Sequence, residues 1–381
     1  MIARLKELHP PRPPDAPPLP AGPPPSRAAA PPVELDEDLF AHALATTPKL
    51  TAPGPSGWKA DWLLIAGAGT DDPQTKELVG PTLESLFDLC SLIAAGDISD
   101  DAAAILAGAR LVAIGKPGRP PSDVRPIAVG DPLRRLVARA LAQQLSPLFA
   151  DHLLPLQLGV GVPGGLEVVV HAVRAELERD HNIVAAQLDV ANAFNTVDRS
   201  AIMTQTLEHF PELFPFVAKM YGRPARLLHS LEDGGVEVLL SEEGTQQGDP
   251  LGSALFAIGL QPVLLRLAAL CPDCRIWAGH DDIHVVGPSA DVARVCHAAP
   301  AELAKIRLLL CPRKCSVFTL GDALAAPPTG QWPAGFRTIS PDQGILVFGV
   351  PVGSSVFVKA QLAAKLASAQ AAISKLGSVG Q

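Results

Sequence analysis

Three aspartates have the residue type and spacing to do chemistry. Asp189 stands alone at the end of an apolar run. Asp281 and Asp282 stand side by side about ninety residues later, between two short apolar runs. Acidic side chains are rarely buried unless paired or bound to metal. A strand–Asp-Asp–strand hairpin presents carboxylates at a tight turn. If Asp189 lies on a neighbouring strand, the carboxylates can hold two divalent cations roughly 3.5–4 Å apart. One cation lowers the pKa of an attacking hydroxyl and the other stabilises the leaving oxygen. Hard oxygen ligands and phosphate substrates favour Mg2+. Taken singly, each aspartate is more often an N-cap or a turn residue.

The elements that must position these residues are legible as patterns. Residues 181–190 read as a buried strand that delivers Asp189 near its C-terminal end. Residues 275–278 and 283–286 read as two short strands flanking the His-Asp-Asp turn. Helices are expected over 81–95, 131–148, 200–209, 251–270 and 290–309, with Pro132 suited to a first helical turn. A turn-rich start at 51 runs into an apolar helix to 64. Residues 109–118 read as a strand ending in a Pro-Gly turn, and 345–348 as a strand before the tight turn 349–353. The tail 358–376 is Ala-, Leu- and Lys-rich and amphipathic. Residues 10–32 are dominated by Pro and Ala, favour polyproline II and cannot pack a core, so folded structure is expected to begin near Leu35.

Bulk properties narrow the classes. The chain has 381 residues, 48% of them hydrophobic, enough for a sizeable core. No run of about 18 apolar residues without a charge appears, so no membrane span is expected. The N-terminus lacks an apolar secretory signal, which points to an intracellular protein of nucleus or cytoplasm. The six cysteines suggest no disulfide scaffold. Cys271 and Cys274, with His280 and His284 following, match no common zinc spacing and read more simply as thiols near a strand start. A net charge of −8 argues against binding nucleic acid by charge alone. Basic residues nevertheless gather at Arg110, Lys116, Arg119, Arg125, Arg134, Arg135 and Arg139, against only Asp123 and Asp131. This stretch is either an anion-docking surface or a solvated helix face.

The motifs resemble one family. LDVANAFNTVDR (188–199), GTQQGDPLGSALFAIGL (244–260) and GHDDIHVVG (279–287) resemble motifs A, B and C of reverse transcriptases, in order and spacing. LLLCPRKCSVF (308–318) resembles motif D and FGVPVG (348–353) the primer-grip region. RPIAVGDPLRRLVARAL (125–141) and QLGVGVPGGLEVVVHAV (157–173) resemble the finger motifs. GPSGWKADWL (54–63) resembles the segment preceding them in non-LTR retrotransposon enzymes.

The resemblance implies roles. Asp189, Asp281 and Asp282 match the catalytic and metal-binding carboxylates of an RNA-directed DNA polymerase. Phe194 falls where an aromatic gate excludes a ribose hydroxyl, which makes the substrate a dNTP; its plainer reading is a core aromatic. Gln247 and Gly248 match the pair beside the incoming nucleotide. Arg125 and Lys116 resemble finger cations that grip the triphosphate, and Lys314 matches a lysine that protonates pyrophosphate. Two Mg2+ ions (or Mn2+), an RNA template, a DNA or RNA primer and no membrane are the implied partners.

The implied fold is α+β, a right-hand polymerase with a ferredoxin-like palm, helical fingers and a truncated thumb. Residues 1–34 are expected to be disordered, 35–180 to form fingers and the start of the palm, 181–353 the palm, and 354–381 the first thumb helix. With room for one thumb helix and no flanking nuclease pattern, the chain reads as a fragment or decayed copy of a larger polyprotein. One departure stands out. The family places an aromatic where this chain has Gly279, and the loss is expected to remove a packing ring and loosen the turn. A catalytically inactive nucleic-acid-binding remnant and an RNA-dependent RNA polymerase remain as alternatives.

Overall fold

Apolar runs bounded by turn residues become the central strands of two sheets. The computed structural model describes residues 1–23, 30–67, 73–321 and 331–377. Five helices come first: α1 (Ile2–Leu8), α2 (Glu37–Ala45), α3 (Ala60–Gly67), α4 (Pro73–Ala94) and α5 (Asp100–Ala107). Strands β1 (Ala109–Gly115) and β2 (Val124–Gly130) follow, then α6 (Pro132–Gln144), α7 (Ser146–Leu153) and α8 (Gly165–Arg179). Next are β3 (Ile183–Leu188), α9 (Ala193–Thr196), α10 (Arg199–His209), α11 (Phe214–Tyr221), β4 (Ala225–Ser230), β5 (Val236–Ser241) and α12 (Gly252–Leu270). The remainder is β6 (Arg275–Gly279), β7 (Asp282–Pro288), α13 (Ser289–Ala304), β8 (Ser316–Phe318), β9 (Arg337–Ile339), β10 (Ile345–Val347), β11 (Val350–Val352) and α14 (Ser355–Gly377).

The chain divides into two compact units that interleave along the sequence. The first comprises 1–153, 192–262 and 306–308; the second comprises 154–191, 263–305 and 309–381. The linear partition expected at residue 180 is therefore not how the chain is divided.

In the first unit a four-stranded sheet has the order β2-β1-β4-β5, with β1 antiparallel to β2 and parallel to β4. Its covered face carries Ala109, Leu111, Val124, Ala128, Leu227 and Leu239, and Leu5 and Leu8 of α1 pack onto it. This overturns the expectation of a disordered start. Proline content dominates the composition of the N-terminal segment, but IARLKEL precedes the prolines and places two leucines three residues apart on one helical face. Arg12 then donates to Glu243, and the Val33 N–H donates to the Glu212 carbonyl. Residues 24–29 of that segment lie outside the described residues. The expected helix over 131–148 is two helices. Asp131 caps the first through the Leu133 N–H at 3.0 Å, with Pro132 in the first turn.

In the second unit a five-stranded sheet has the order β6-β7-β3-β8-β9. Strand β3 is antiparallel to both β7 and β8, and β6–β7 is a hairpin. Among β3, β6, β7 and β8 this is the ferredoxin-like order, with α13 crossing from β7 to β8. Side chains alternate along β3, so Ile183, Ala185, Gln187 and Asp189 share one face. The apolar end of that face is sealed by α8 and β10–β11, through Val169, Val173, Ile345, Val347 and Val352.

Helix α12 is long and apolar enough to cross a bilayer by length and composition, although Arg266 interrupts its apolar run. Leu255, Phe256, Ile258, Leu260, Val263, Leu264 and Leu267 are fully buried in the protein. The Gln261 amide donates to the carbonyls of His152 and Leu153. It is a core helix that happens to meet the length and hydropathy criteria.

Candidate active site

The sheet of the second unit changes character along its length, and that gradient builds the site. Ile183, Ala185 and Val286 lie in the core, Gln187 pairs with His284 across β3–β7, and Asp189 and Asp282 come last. A period of two puts all of them on one face. Asp189, Asp282, His284, Lys314, Leu346 and Phe348 line a cavity of about 220 Å³.

The segment Cys311–Lys314–Cys315 clamps Asp189. The Cys311 N–H donates to the Asp189 carbonyl at 2.8 Å, and the Asp189 N–H donates to Cys315 Sγ at 3.3 Å. Lys314 Nζ lies 3.3 Å from Asp189 Oδ1. Burial pushes the Cys315 thiol up and keeps its proton on sulfur.

The turn between β6 and β7 holds the other two carboxylates. Gly279 pairs with Asp282, leaving His280 and Asp281 at the tip, with His280 in the left-handed region at φ 60°. Buried Gln157 fixes that residue from both sides. Its Oε1 accepts from the His280 N–H at 2.7 Å and its Nε2 donates to the His280 carbonyl at 3.0 Å. The expectation of a loosened turn is not met. A Cβ built on Gly279 would lie 2.5 Å from Phe348 Cε1 and 2.5 Å from Leu166 Cδ2, so the space is already filled.

The electrostatics set the carboxylates against each other. Burial, then Asp281 and Asp189, push the Asp282 carboxyl up to about 6. Burial first and Asp189 second also raise Asp281, while Lys314 opposes the rise. His284 is buried, and desolvation pushes its ring down to about 4, so it is neutral at pH 7. Neither of its ring nitrogens has a hydrogen-bond partner in the protein. Among the described residues, no three His, Cys, Asp or Glu side chains already converge as metal ligands. The three aspartates supply hard oxygen donors with excess negative charge, the chemistry that suits a divalent cation.

The other expected residues belong to the first unit. Phe194 is half-buried and stacks on Phe256 with centroids 4.7 Å apart. Its carbonyl accepts from the Thr245 N–H at 2.6 Å. The Gln247 carbonyl accepts from the Ala128 N–H at 2.7 Å, which ties this loop to β2. Gly248 has φ 118°, and a Cβ there would meet the Ala128 oxygen at 2.6 Å. Only glycine allows that approach. Lys116 and Arg125 lie at the loop end of the β1–β2 hairpin. Lys116 pairs with Asp123 at 2.7 Å, and Arg125 is exposed.

Sequence reasoning missed the residues that hold the 243–249 loop. Arg134, counted among the surface cations, is buried. It donates to the Ala107 carbonyl, Gln246 Oε1 and Asp249 Oδ2, the last at 2.6 Å. The Tyr221 hydroxyl also donates to Asp249 Oδ2, and desolvation drives its pKa far up. Buried Arg199 donates to the Gly244 carbonyl and to Ser241 Oγ, and its backbone N–H donates to Glu243. Arg134 sits one position after apolar Leu133 on an amphipathic helix, and no local signal separates it from Arg135.

Comparison with known proteins gives three findings. The sequence model of the family described as reverse transcriptase (RNA-dependent DNA polymerase) matches residues 114–355. The chain is 26% identical over 261 residues to the retrotransposable element SLACS 132 kDa protein of Trypanosoma brucei gambiense, covering 66% of this chain and 20% of that protein. The chain thus spans about a fifth of the length of that curated relative. A structure of apo telomerase from Candida tropicalis, truncated from its C-terminal domain, aligns with TM-score 0.44 and 12% identity, over 56% of this chain and 50% of that one.

Proposed function

The chain belongs to the reverse transcriptase (RNA-dependent DNA polymerase) family, and from that premise we propose that it is the RNA-directed DNA polymerase domain of a non-LTR retrotransposon-type element. The reaction is attack of a primer 3′-hydroxyl on the α-phosphate of a dNTP, directed by an RNA template, with release of pyrophosphate. The observation that carries this reading is the placement of Asp189 and Asp282 on one sheet face with Asp281 at the adjoining turn, where burial and then neighbouring negative charge raise the Asp281 and Asp282 carboxyls.

Asp189, Asp281 and Asp282 would hold two Mg2+ ions, or Mn2+, as oxygen ligands. Bound there, the ions neutralise phosphate charge and lower the pKa of the attacking hydroxyl. Lys314, with Nζ 3.3 Å from Asp189 Oδ1, is placed to give a proton to the leaving pyrophosphate. In the first unit, Phe194 keeps its ring rigid by stacking on Phe256, as a wall excluding a 2′-hydroxyl must be. Gln247 and Gly248, fixed against β2, serve the incoming nucleotide. Lys116 and Arg125 grip the triphosphate, with phosphate replacing Asp123 as the partner of Lys116.

Primer extension on an RNA template with Mg2+ and dNTPs tests the reading. Asp281→Asn is expected to lower the rate by about a thousandfold or more, a loss in the range of removed charge stabilisation. Equal extension by both proteins would refute the catalytic assignment. Template binding without extension by the wild type would leave an inactive nucleic-acid-binding module. Phe194→Ala is expected to raise rNTP use relative to dNTP, and unchanged discrimination would return Phe194 to the status of a core ring.

A further inference from the structure

The geometry points to Phe348 as the positioning residue for the Asp281–Asp282 turn, with its ring taking the place that any side chain at position 279 would need. This inference rests on the polymerase reading only for the purpose of the turn; the packing itself is independent of it.

Four observations converge on this ring. The first is steric. A Cβ on Gly279 would meet Phe348 Cε1 at 2.5 Å and Cζ at 2.6 Å, separations that real Cβ atoms do not show. A side chain at position 279 therefore has to displace the Phe348 ring, together with the Leu166 tip whose Cδ2 is also 2.5 Å away. The second is backbone strain. Phe348 sits in the left-handed region at φ 46°, a conformation an aromatic residue adopts only when its surroundings impose it.

Third, the surrounding hairpin imposes that conformation. The β10–β11 hairpin is tied to its surroundings at three points: Gln187 Nε2 donates to the Leu346 carbonyl at 2.9 Å, Arg174 to the Pro351 carbonyl at 3.2 Å, and Lys365 to the Gly349 carbonyl. Val347 and Val352 anchor it in the core. The fourth is the second contact of the ring. Phe348 meets His284 edge-on, with centroids 5.1 Å apart at 70°. His284 lies two residues beyond Asp282 on the same strand face, so one aromatic ring braces both strands of the hairpin that carries the carboxylates.

The consequence is a coupling that can be measured. One ring is needed beside the turn and only one fits. Supplying it from position 279 is harmful while Phe348 is present and beneficial once Phe348 has been removed. The test uses the full chain with Gly279→Phe, Phe348→Ala, both together, and Phe348→Leu. Mn2+ affinity is read by electron paramagnetic resonance, and thermal melting and primer extension are read in parallel. Phe348→Ala is expected to weaken Mn2+ binding about tenfold, in the range seen when groups supporting metal ligands are lost. Gly279→Phe should weaken it at least as much, and the double variant should return to within about threefold of wild type, since rings that share one space are coupled rather than additive. Phe348→Leu keeps bulk without an edge contact and should lie between wild type and Phe348→Ala, which leaves the test intact if Gly279→Phe fails to fold. Additive losses in the double variant, or a lowered melting point for Phe348→Ala and Phe348→Leu with unchanged Mn2+ affinity, would overturn the inference. If the coupling appears but no protein extends a primer, the polymerase reading fails and this inference stands. A wild type that extends primers while the losses add sinks this inference alone. A wild type that binds no Mn2+ overturns both.

Discussion

The 243–249 loop of the first unit and the 279–282 turn of the second solve opposite electrostatic problems. Around the loop, the buried carboxylates meet cations, and buried Arg199 is held by the Gly244 carbonyl and Ser241 Oγ. Arg134 meets Asp249, Glu243 meets Arg12, and Tyr221 donates to the same Asp249 that Arg134 holds. Around the turn, Asp281 and Asp282 face Asp189, and Lys314, itself more than half exposed, is the cation paired with Asp189. The Asp249 and Glu243 carboxylates are compensated within the protein. The turn carries surplus negative charge held in place by neutral groups, a balance that suits an added cation. Rigid positioning in both places is achieved without sharing a mechanism: ion pairs do it in the first, packing and amide hydrogen bonds in the second.

The comparison can be broken most forcefully at Arg134. Replacing it with Leu strands the Asp249 carboxylate in a buried site, and the expected loss is about 3–5 kcal/mol of stability, the cost of breaking a buried pair from one side. Urea unfolding measures it, and a loss below about 1 kcal/mol would mean that the loop does not depend on the pair. Next in size is Gly248→Ala. Its positive φ and the 2.6 Å approach to the Ala128 oxygen both oppose a side chain, and about 1–3 kcal/mol is expected, with a raised dNTP KM if the loop serves the nucleotide.

The smallest effect has the opposite sign and belongs to the turn. Asp282 titrates near 6 in the folded chain, whereas an unfolded Asp titrates near about 4. Between those values the folded state binds more protons than the unfolded state, so metal-free stability falls as pH rises from about 4 to about 6 and is flat above. Asp282→Asn should remove that slope and leave the metal-free protein slightly more stable at pH 7, as melting temperatures across pH would record. A melting point for Asp282→Asn below wild type at pH 7 would contradict the surplus-charge account.

Much of the second unit was legible in the sequence because its signals are local. The apolar run at β3, the paired short strands around Asp281 and Asp282, and the helix formers of α13 each announce their element. The β4–β5 hairpin also has a local mark, Glu-Asp-Gly-Gly between two apolar alternating runs. Other features have no local signature. The contact of Phe348 with Gly279 joins residues far apart in sequence and depends on a backbone angle that no composition predicts. Arg134 looks like its exposed neighbours until the Asp249 side chain arrives from a distant loop. Leu5 and Leu8 were hidden by the prolines that follow them.

Gln157 gives the turn a last property. Its side-chain amide reads the N–H and the carbonyl of a single residue, His280, as a strand neighbour's peptide group would. It is in effect a borrowed peptide bond, supplied by a side chain where the sheet has no strand to offer. Glutamate has the same length but no donor for the His280 carbonyl, and it would add a fourth negative charge. Asparagine has the right groups but is one methylene short. A neutral amide can therefore hold the tip of the hairpin while leaving the charge balance of the carboxylates untouched, which makes position 157 sensitive to changes that a residue count of size and polarity would class as mild.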